Sequence, residues 1–323
     1  MGYNSSAMSA TPKVSVITAA YKAARYIGQA IESVQAQTLT DWEMIIVDDA
    51  SPDETAEVVK RYLDDPRIKL IRNEQNRGSG YSRNRAIDAA QGEWIAVLDA
   101  DDWYAPERLE KLWRLAQEKS ALLTADLQLQ IDDEGNTYGF AFSDIWAPPE
   151  VPTRYTVRDY LYAHIAIKPF VSRNHLVQHN LRYREDVVVI EDHIFQTQLQ
   201  LKGADLWLLP ESTYFYRVHP SSLVSLYGNL EVLERLFEIL LEMEGIRDNP
   251  DLVRAVLADK RRTLLPRQYE RFAGALKRRE WRVAKRYLSP AVVAMFVSRL
   301  PGAIYRRIWA REQLNPKNPR RVS

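Results

Sequence analysis

Trp94-Ile95-Ala96-Val97-Leu98-Asp99-Ala100-Asp101-Asp102 joins a short apolar run to three carboxylates within four positions. Five apolar residues in succession, without polar alternation, are what a strand buried on both faces requires. Three earlier runs read the same way: Val14-Ser15-Val16-Ile17-Thr18, Glu43-Met44-Ile45-Ile46-Val47 and Ile68-Lys69-Leu70-Ile71. Helical periodicity fills the gaps, over residues 24–37, 53–62 and 82–91. A βαβαβαβ order predicts an α/β domain with a mostly parallel sheet, right-handed crossovers and helices on both faces.

Open parallel sheets bind ligands beyond the carboxyl ends of their strands. Here those ends carry Ala19-Ala20-Tyr21, Asp48-Asp49-Ala50-Ser51 and Asp99-Ala100-Asp101-Asp102, which gathers an aromatic ring and five carboxylates at one edge. Like charges so close are costly unless a cation or a donor-rich ligand offsets them. Neighbouring aspartates supply the hard oxygen ligands of a divalent cation, and a diphosphate supplies others. Asp102, ahead of Trp103, also suits a helix cap, and capping is the reading for Ser51 and Asp53. Asp49 suits a base N–H or a ribose hydroxyl.

Further along, a helix is predicted over residues 107–119 and a strand over 121–131, then turn-rich loops over 132–152 near the site. Residues 155–203 read as mixed helix with a strand-like run at Val187-Val188-Val189-Ile190. Two short strands follow, over 205–209 and 213–218, and then helices over 230–243, 251–275, 280–287 and 291–309. Glu191-Asp192 opens a helix carrying Ile194, Phe195 and Leu199; taken alone, such a pair is a dipole-favoured cap. Lys168-Pro169-Phe170-Val171-Ser172-Arg173-Asn174-His175 is read either as an acceptor pocket or as a surface turn. At the last strand end, Arg217 suits phosphate, and the imidazole of His219 suits a metal or a diphosphate.

With 323 residues, 46% of them hydrophobic and 27% charged, the chain can bury a large core. The absence of cysteine excludes disulfides, Cys-ligated zinc and thiol nucleophiles. No apolar run reaches eighteen residues and no leader pattern opens the chain, so a cytoplasmic protein is expected. Residues 1–12 are set aside as a disordered tail or expression scar. From Asp251 to Ser323, nineteen Lys/Arg face five Asp/Glu, which leaves about +14 there and about −13 on everything before. Within that segment, Val292 to Arg311 sets Val293, Met295, Phe296, Leu300, Ile304, Tyr305, Ile308 and Trp309 beside Arg299, Arg306, Arg307 and Arg311. An apolar face beside a cationic one fits a helix lying in an anionic membrane interface, which the net charge favours over a helix packed on the rest of the chain. No recognised nucleic-acid motif accompanies the charge, so no nucleic-acid partner is expected.

Taken in order, Val14 to Tyr21, Val47-Asp48-Asp49-Ala50-Ser51, Asn76-Arg77-Gly78 with Ser82-Arg83-Asn84, and Leu98 to Asp102 resemble glycosyltransferase family 2. The resemblance implies a GT-A fold over residues 13–226, with a donor half at about 13–120 and an acceptor half at about 121–226. A basic helical extension would occupy 227–323. It implies a nucleotide-diphosphate sugar donor, with uridine the family's usual base, Mg²⁺ or Mn²⁺ as cofactor, and inversion at the anomeric carbon. By resemblance, Thr18, Ala20 and Tyr21 line the base and Asp49 meets its N–H. Arg83 serves the diphosphate region and Asp99 or Asp101 the ribose, with Ala100, Arg217 and His219 among the further nucleotide-sugar contacts. Asp101, Asp102 and His219 fall to the metal. The acid pair then becomes catalytic, Asp192 as the base and Glu191 in support. Many members carry Pro where this chain has Ala19, so the first loop departs from the pattern.

The expected acceptor is a glycan, or a lipid-linked glycan of bacterial exopolysaccharide assembly at the inner face of the cell membrane. Two alternatives stand beside this reading. A nucleotidyltransferase would normally place a Gly-rich phosphate loop after the first strand, and Ala19-Ala20-Tyr21-Lys22-Ala23-Ala24 is not one. A catalytically inactive sugar-nucleotide-binding protein would share the same motifs.

Overall fold

A computed structural model of the chain describes residues 11–141, 143, 146–187, 189–219 and 230–298. The opening half alternates as its hydrophobic runs predict: β1 (Val14–Ala20), α1 (Ile27–Gln35), β2 (Trp42–Asp48), α2 (Thr55–Lys60), β3 (Ile68–Arg72), α3 (Ser79–Ala89) and β4 (Trp94–Val97). β1 pairs parallel with both β2 and β4, and β2 pairs parallel with β3. Every residue of β2 is buried, which is why its sequence shows no polar face. Period two sorts its side chains between two cores. Met44 and Ile46 pack with Ile27, Ile31 and Val34 of α1, whereas Ile45 and Val47 pack with Ala86 and Ile87 of α3.

The chain continues through β5 (Trp103–Tyr104), α4 (Arg108–Lys119), β6 (Leu123–Ile131), β7 (Thr137–Ala141), β8 (Thr153–Tyr155), α5 (Val157–Ala163), β9 (Phe170–Ser172), α6 (Arg173–Gln178), α7 (Glu191–Leu201) and β10 (Leu206–Arg217). The sheet runs β3-β2-β1-β4-β9-β6-β10-β5, with β7 on β6 and β8 on β10.

Four expectations change. Phe170 and Val171 are fully buried in the sheet, antiparallel between β4 and β6, so the segment after Lys168 is no surface turn. Its apolar residues were too few to announce a strand, yet Phe170 stacks on Trp94 at 5.0 Å. The two short strands are one strand, β10, whose pairing with β6 slips between Leu209 and Ser212 and again between Ser212 and Tyr214. Val187, Val189 and Ile190 form no strand: Val189 takes φ +78°, a left-handed value that a β-branched residue adopts only under constraint. Val188 lies outside the described residues. One stretch expected as loop, residues 132–152, contains the exposed strand β7.

The remaining helices are α8 (Leu230–Glu242), α9 (Pro250–Lys277), α10 (Trp281–Arg286) and α11 (Pro290–Ser298). The chain divides into two compact units, up to Asp259 and from Lys260. The first holds the sheet. In the second, Phe272, Ala275, Ala284 and Val292 form a small core of their own. Among the described residues, no helix is long and apolar enough to cross a membrane.

Candidate active site

The carboxyl ends of β2 and β4 deliver acidic residues to one edge of the sheet, and beyond β4 two buried cations, Arg83 and Lys168, meet them. Asp99 follows β4. Its Oδ1 accepts from Arg83 Nη2 at 2.8 Å and its Oδ2 from Lys168 Nζ at 2.5 Å. Burial alone would raise its pKa, but Lys168 and Arg83 outweigh that and hold Asp99 well below the ordinary carboxylate range. Arg83 projects from α3 and also meets the acid pair that opens α7. Its Nη1 donates to Glu191 Oε1 at 3.1 Å and pairs with Asp192 Oδ1 at 3.0 Å. Lys168 Nζ donates to Asp192 Oδ2 at 3.0 Å. Glu191 Oε1 accepts a further short hydrogen bond from Ser79 Oγ. Neither acid makes a side-chain hydrogen bond capping α7. The two carboxylates answer the cations, and Asp192 keeps a quarter of its side chain exposed.

Asp101 and Asp102 are adjacent in the chain but face different surroundings. Asp101, 36% exposed in its side chain, lies with Oδ2 3.0 Å from His219 Nε2. Asp102 is 1% exposed; its Oδ2 accepts from the Tyr214 hydroxyl at 2.6 Å and its Oδ1 from the backbone N–H of Arg217 at 2.8 Å. Burial, followed by the charges of Asp101 and Asp99, pushes the Asp102 carboxyl up. Both oxygens of Asp102, a residue expected at the metal, thus accept hydrogen bonds that pin β10. Arg217, expected at a diphosphate, is likewise engaged within the protein. Its Nε donates to Asp101 O at 2.7 Å, its Nη2 to Gln29 Oε1 at 2.5 Å and its Nη1 to Asp133, and its guanidinium lies 4.6 Å from the rings of both Tyr26 and Trp103.

Asp49 is also inward. Its carboxylate, 3% exposed, accepts from Asn73 Nδ2 at 2.6 Å and from the backbone N–H groups of Arg77 and Gly78 at 2.9 and 2.7 Å. That bonding ties the Asn76-Arg77-Gly78 turn to β2, where Gly78 supplies a φ of +89° ahead of α3. Of the residues expected around a base, Thr18 is fully buried, Ala20 is 1% exposed with its carbonyl accepting from the N–H of Asp49, and Tyr21 stands 45% exposed. Ala100 is buried at 7%.

Among the described residues, no three His, Asp or Glu side chains gather as a metal cage. Asp101 and His219 offer one carboxylate and one imidazole. Such a pair fits a cation that takes its remaining ligands from diphosphate oxygens and water, the usual habit of Mg²⁺ and Mn²⁺ at nucleotides. Sequence reasoning missed Lys168, Ser79 and Tyr214 as site residues. Lys168 was visible only as part of an undecided segment, and Ser79 fell in the gap between Gly78 and Ser82. Tyr214 stood in an aromatic run, with nothing to mark its hydroxyl for Asp102.

The family model for glycosyl transferase family 2 matches residues 15–178. ExoO, a succinoglycan biosynthesis protein of Rhizobium meliloti strain 1021, is 31% identical over 68% of this chain, and the match spans 65% of ExoO's own length. Two solved structures share the fold. Residues 1–349 of TarS from S. aureus, in complex with UDP-GlcNAc, align with a TM-score of 0.62 at 21% identity, over 77% of this chain and 72% of that one. The mannosyltransferase PcManGT from Pyrobaculum calidifontis, in complex with GDP-Man and Mn²⁺, aligns with a TM-score of 0.60 at 18% identity, over 95% and 82%.

Proposed function

The chain belongs to glycosyl transferase family 2 with a GT-A fold, and from that premise we propose that it moves a sugar from a nucleotide-diphosphate donor to an acceptor hydroxyl. The observation that carries the reading is the bridge through Arg83 and Lys168, which joins Asp99 at the strand ends to the partly exposed Asp192 on α7. A donor beyond the strand ends would thus lie beside a carboxylate able to take a proton from the acceptor. In this reading Asp192 is the general base, and attack from its side of the sugar gives a single displacement that inverts the anomeric centre. Glu191, locked by Ser79 and Arg83, steadies the first turn of α7. Tyr21, the exposed aromatic after β1, is the natural platform for a uracil ring. Asp101 and His219 would hold Mg²⁺ or Mn²⁺, which supplies positive charge to the departing diphosphate.

The donor is proposed to be a UDP-sugar, in keeping with the family's habit and with the UDP-GlcNAc bound to TarS. A polysaccharide-pathway acceptor, lipid-linked at the cytoplasmic face of the membrane, is consistent with the succinoglycan role in ExoO's name. A membrane surface gains support from the second unit. Trp281 is 67% exposed and Leu288 55%, among the exposed Lys277, Arg278, Arg279, Arg282, Lys285 and Arg286. Much of the amphipathic stretch Val292 to Arg311 lies outside the described residues, from Arg299 onward.

Asp192→Asn tests the assignment of the base. UDP release from a UDP-sugar in the presence of Mn²⁺ should fall by about a hundredfold or more, with UDP affinity in calorimetry close to that of the wild type. Retained turnover would remove Asp192 from the role.

A further inference from the structure

Lys168 lies between two carboxylates that belong to opposite halves of the site, and its own backbone is held still on three sides. The carbonyl of Ile167 accepts from Gln196 Nε2 at 2.9 Å, the carbonyl of Lys168 from Arg108 Nη2 at 3.2 Å, and the carbonyl of Pro169 from the N–H of Val97 at 3.2 Å. Arg108 is itself fixed in the core by Asp126, with both side chains fully buried. A chain so anchored aims its ammonium at one place. Only 9% of the Lys168 side chain is exposed, and Asp192 and Asp99 more than offset its burial.

Arg83 and Lys168 share the same acids but do different work. Arg83 hydrogen-bonds Asp99 and Glu191; to Asp192 Oδ1 it offers charge at 3.0 Å without hydrogen-bond geometry, and among the described residues that oxygen has no hydrogen-bond donor. Among the described residues, the hydrogen bond that fixes the Asp192 carboxylate comes from Lys168. Without that bond only the Arg83 charge would hold the Asp192 carboxylate, and charge alone lacks the directionality of a charge-assisted hydrogen bond. General-base catalysis falls steeply when the base is displaced by even an ångström.

We propose that Lys168 is a positioning residue for the transfer reaction: from a backbone pinned between β4, α4 and α7, it orients Asp192 toward the acceptor and ties that orientation to Asp99. The inference rests on Asp192 being the base. Removing the amine should therefore act on turnover and leave nucleotide affinity largely intact, a split that simple neutralisation of buried charge would not produce.

The test compares Lys168→Gln, Lys168→Arg and Asp192→Asn with the wild type in UDP release from UDP-N-acetylglucosamine and UDP-glucose with Mn²⁺. UDP affinity by calorimetry and thermal midpoint are read alongside. Lys168→Gln is expected to lower kcat by about a hundredfold while the Kd for UDP stays within about threefold. If the glutamine variant does not fold, Lys168→Arg, which keeps the charge, decides the matter. It is expected to fold and to lose about tenfold or more in kcat, because a forked guanidinium cannot occupy the point the ammonium holds. Wild-type kcat in Lys168→Arg, or equal losses in kcat and UDP affinity in Lys168→Gln, would overturn the proposal and leave Lys168 as a counter-charge. An active Asp192→Asn variant would instead bring down the base assignment, and the role given to Lys168 with it.

Discussion

Asp101 and Asp102 show how a single residue step divides labour. The first turns an exposed carboxylate to His219, and the second is sealed beneath Tyr214 and the backbone of Arg217. Their substitutions should therefore differ in kind. Asp102→Asn places an amide N–H against one of two donors, and a thermal or urea unfolding series is expected to show a loss of about 1–3 kcal/mol. Its UDP affinity with Mn²⁺ should stay within about threefold; loss of affinity without loss of stability would return Asp102 to the metal. The sequence displayed the three aspartates plainly. It hid their assignment, because the partners that decide it, Tyr214, Arg217 and His219, arrive on and after β10 more than a hundred residues later. Lys168 was hidden for the same reason, since a lone lysine before a proline carries no signal until the fold brings Asp99 and Asp192 to it.

At the scale of elements, α3 does two jobs with one face. Ser79 and Arg83 reach Glu191, while Asn84 donates to the carbonyl of Tyr183 at 2.9 Å and accepts from its N–H at 2.8 Å, clamping the segment that leads to α7. Gly80 lets that segment approach: a Cβ there would stand 2.4 Å from the carbonyl oxygen of Arg184. Gly80→Ala should cost about 1–3 kcal/mol in chemical denaturation and lower turnover through α7. An unchanged denaturation midpoint would show that the contact yields freely.

Glu43 ties together the opposite, amino-terminal end of the parallel strands. On β2, it accepts from Ser15 Oγ and the N–H of Gln91, both at 2.6 Å, and from Lys69 Nζ at 2.7 Å. Burial would raise its pKa, but these donors outweigh burial and hold it below the usual value of about 4.3. A lowered native pKa means stability present at neutral pH and lost as pH falls through the acid range. Glu43→Gln should be less stable than the wild type at pH 7, with the gap narrowing toward pH 3 in urea titrations; a gap independent of pH would contradict this. The parallel half was legible because its strands are short, β-branched and nearly continuous apolar runs. β9 was not, because three residues between Pro169 and a helix carry no period, and burial between β4 and β6 is a property of the folded sheet.

For the whole molecule, charge and architecture divide in the same sense. The sheet-bearing unit holds the acidic site, whereas the second unit carries much of the basic surplus around an exposed Trp281. Flotation with phosphatidylglycerol-containing vesicles is expected to retain the protein. Binding should be lost with pure phosphatidylcholine or at high salt, and weakened by Trp281→Ala. Equal recovery with both lipids would refute an electrostatic attachment.

The proposed transfer requires that a nucleoside diphosphate and a divalent cation meet beyond the strand ends, at Asp101 and His219. Calorimetric titration of UDP into wild type and Asp101→Ala, each with and without Mn²⁺, tests it directly. Wild type should bind UDP more tightly with the metal, and Asp101→Ala should lose that enhancement, by about tenfold or more. UDP binding that is indifferent to both the metal and Asp101 would contradict the account.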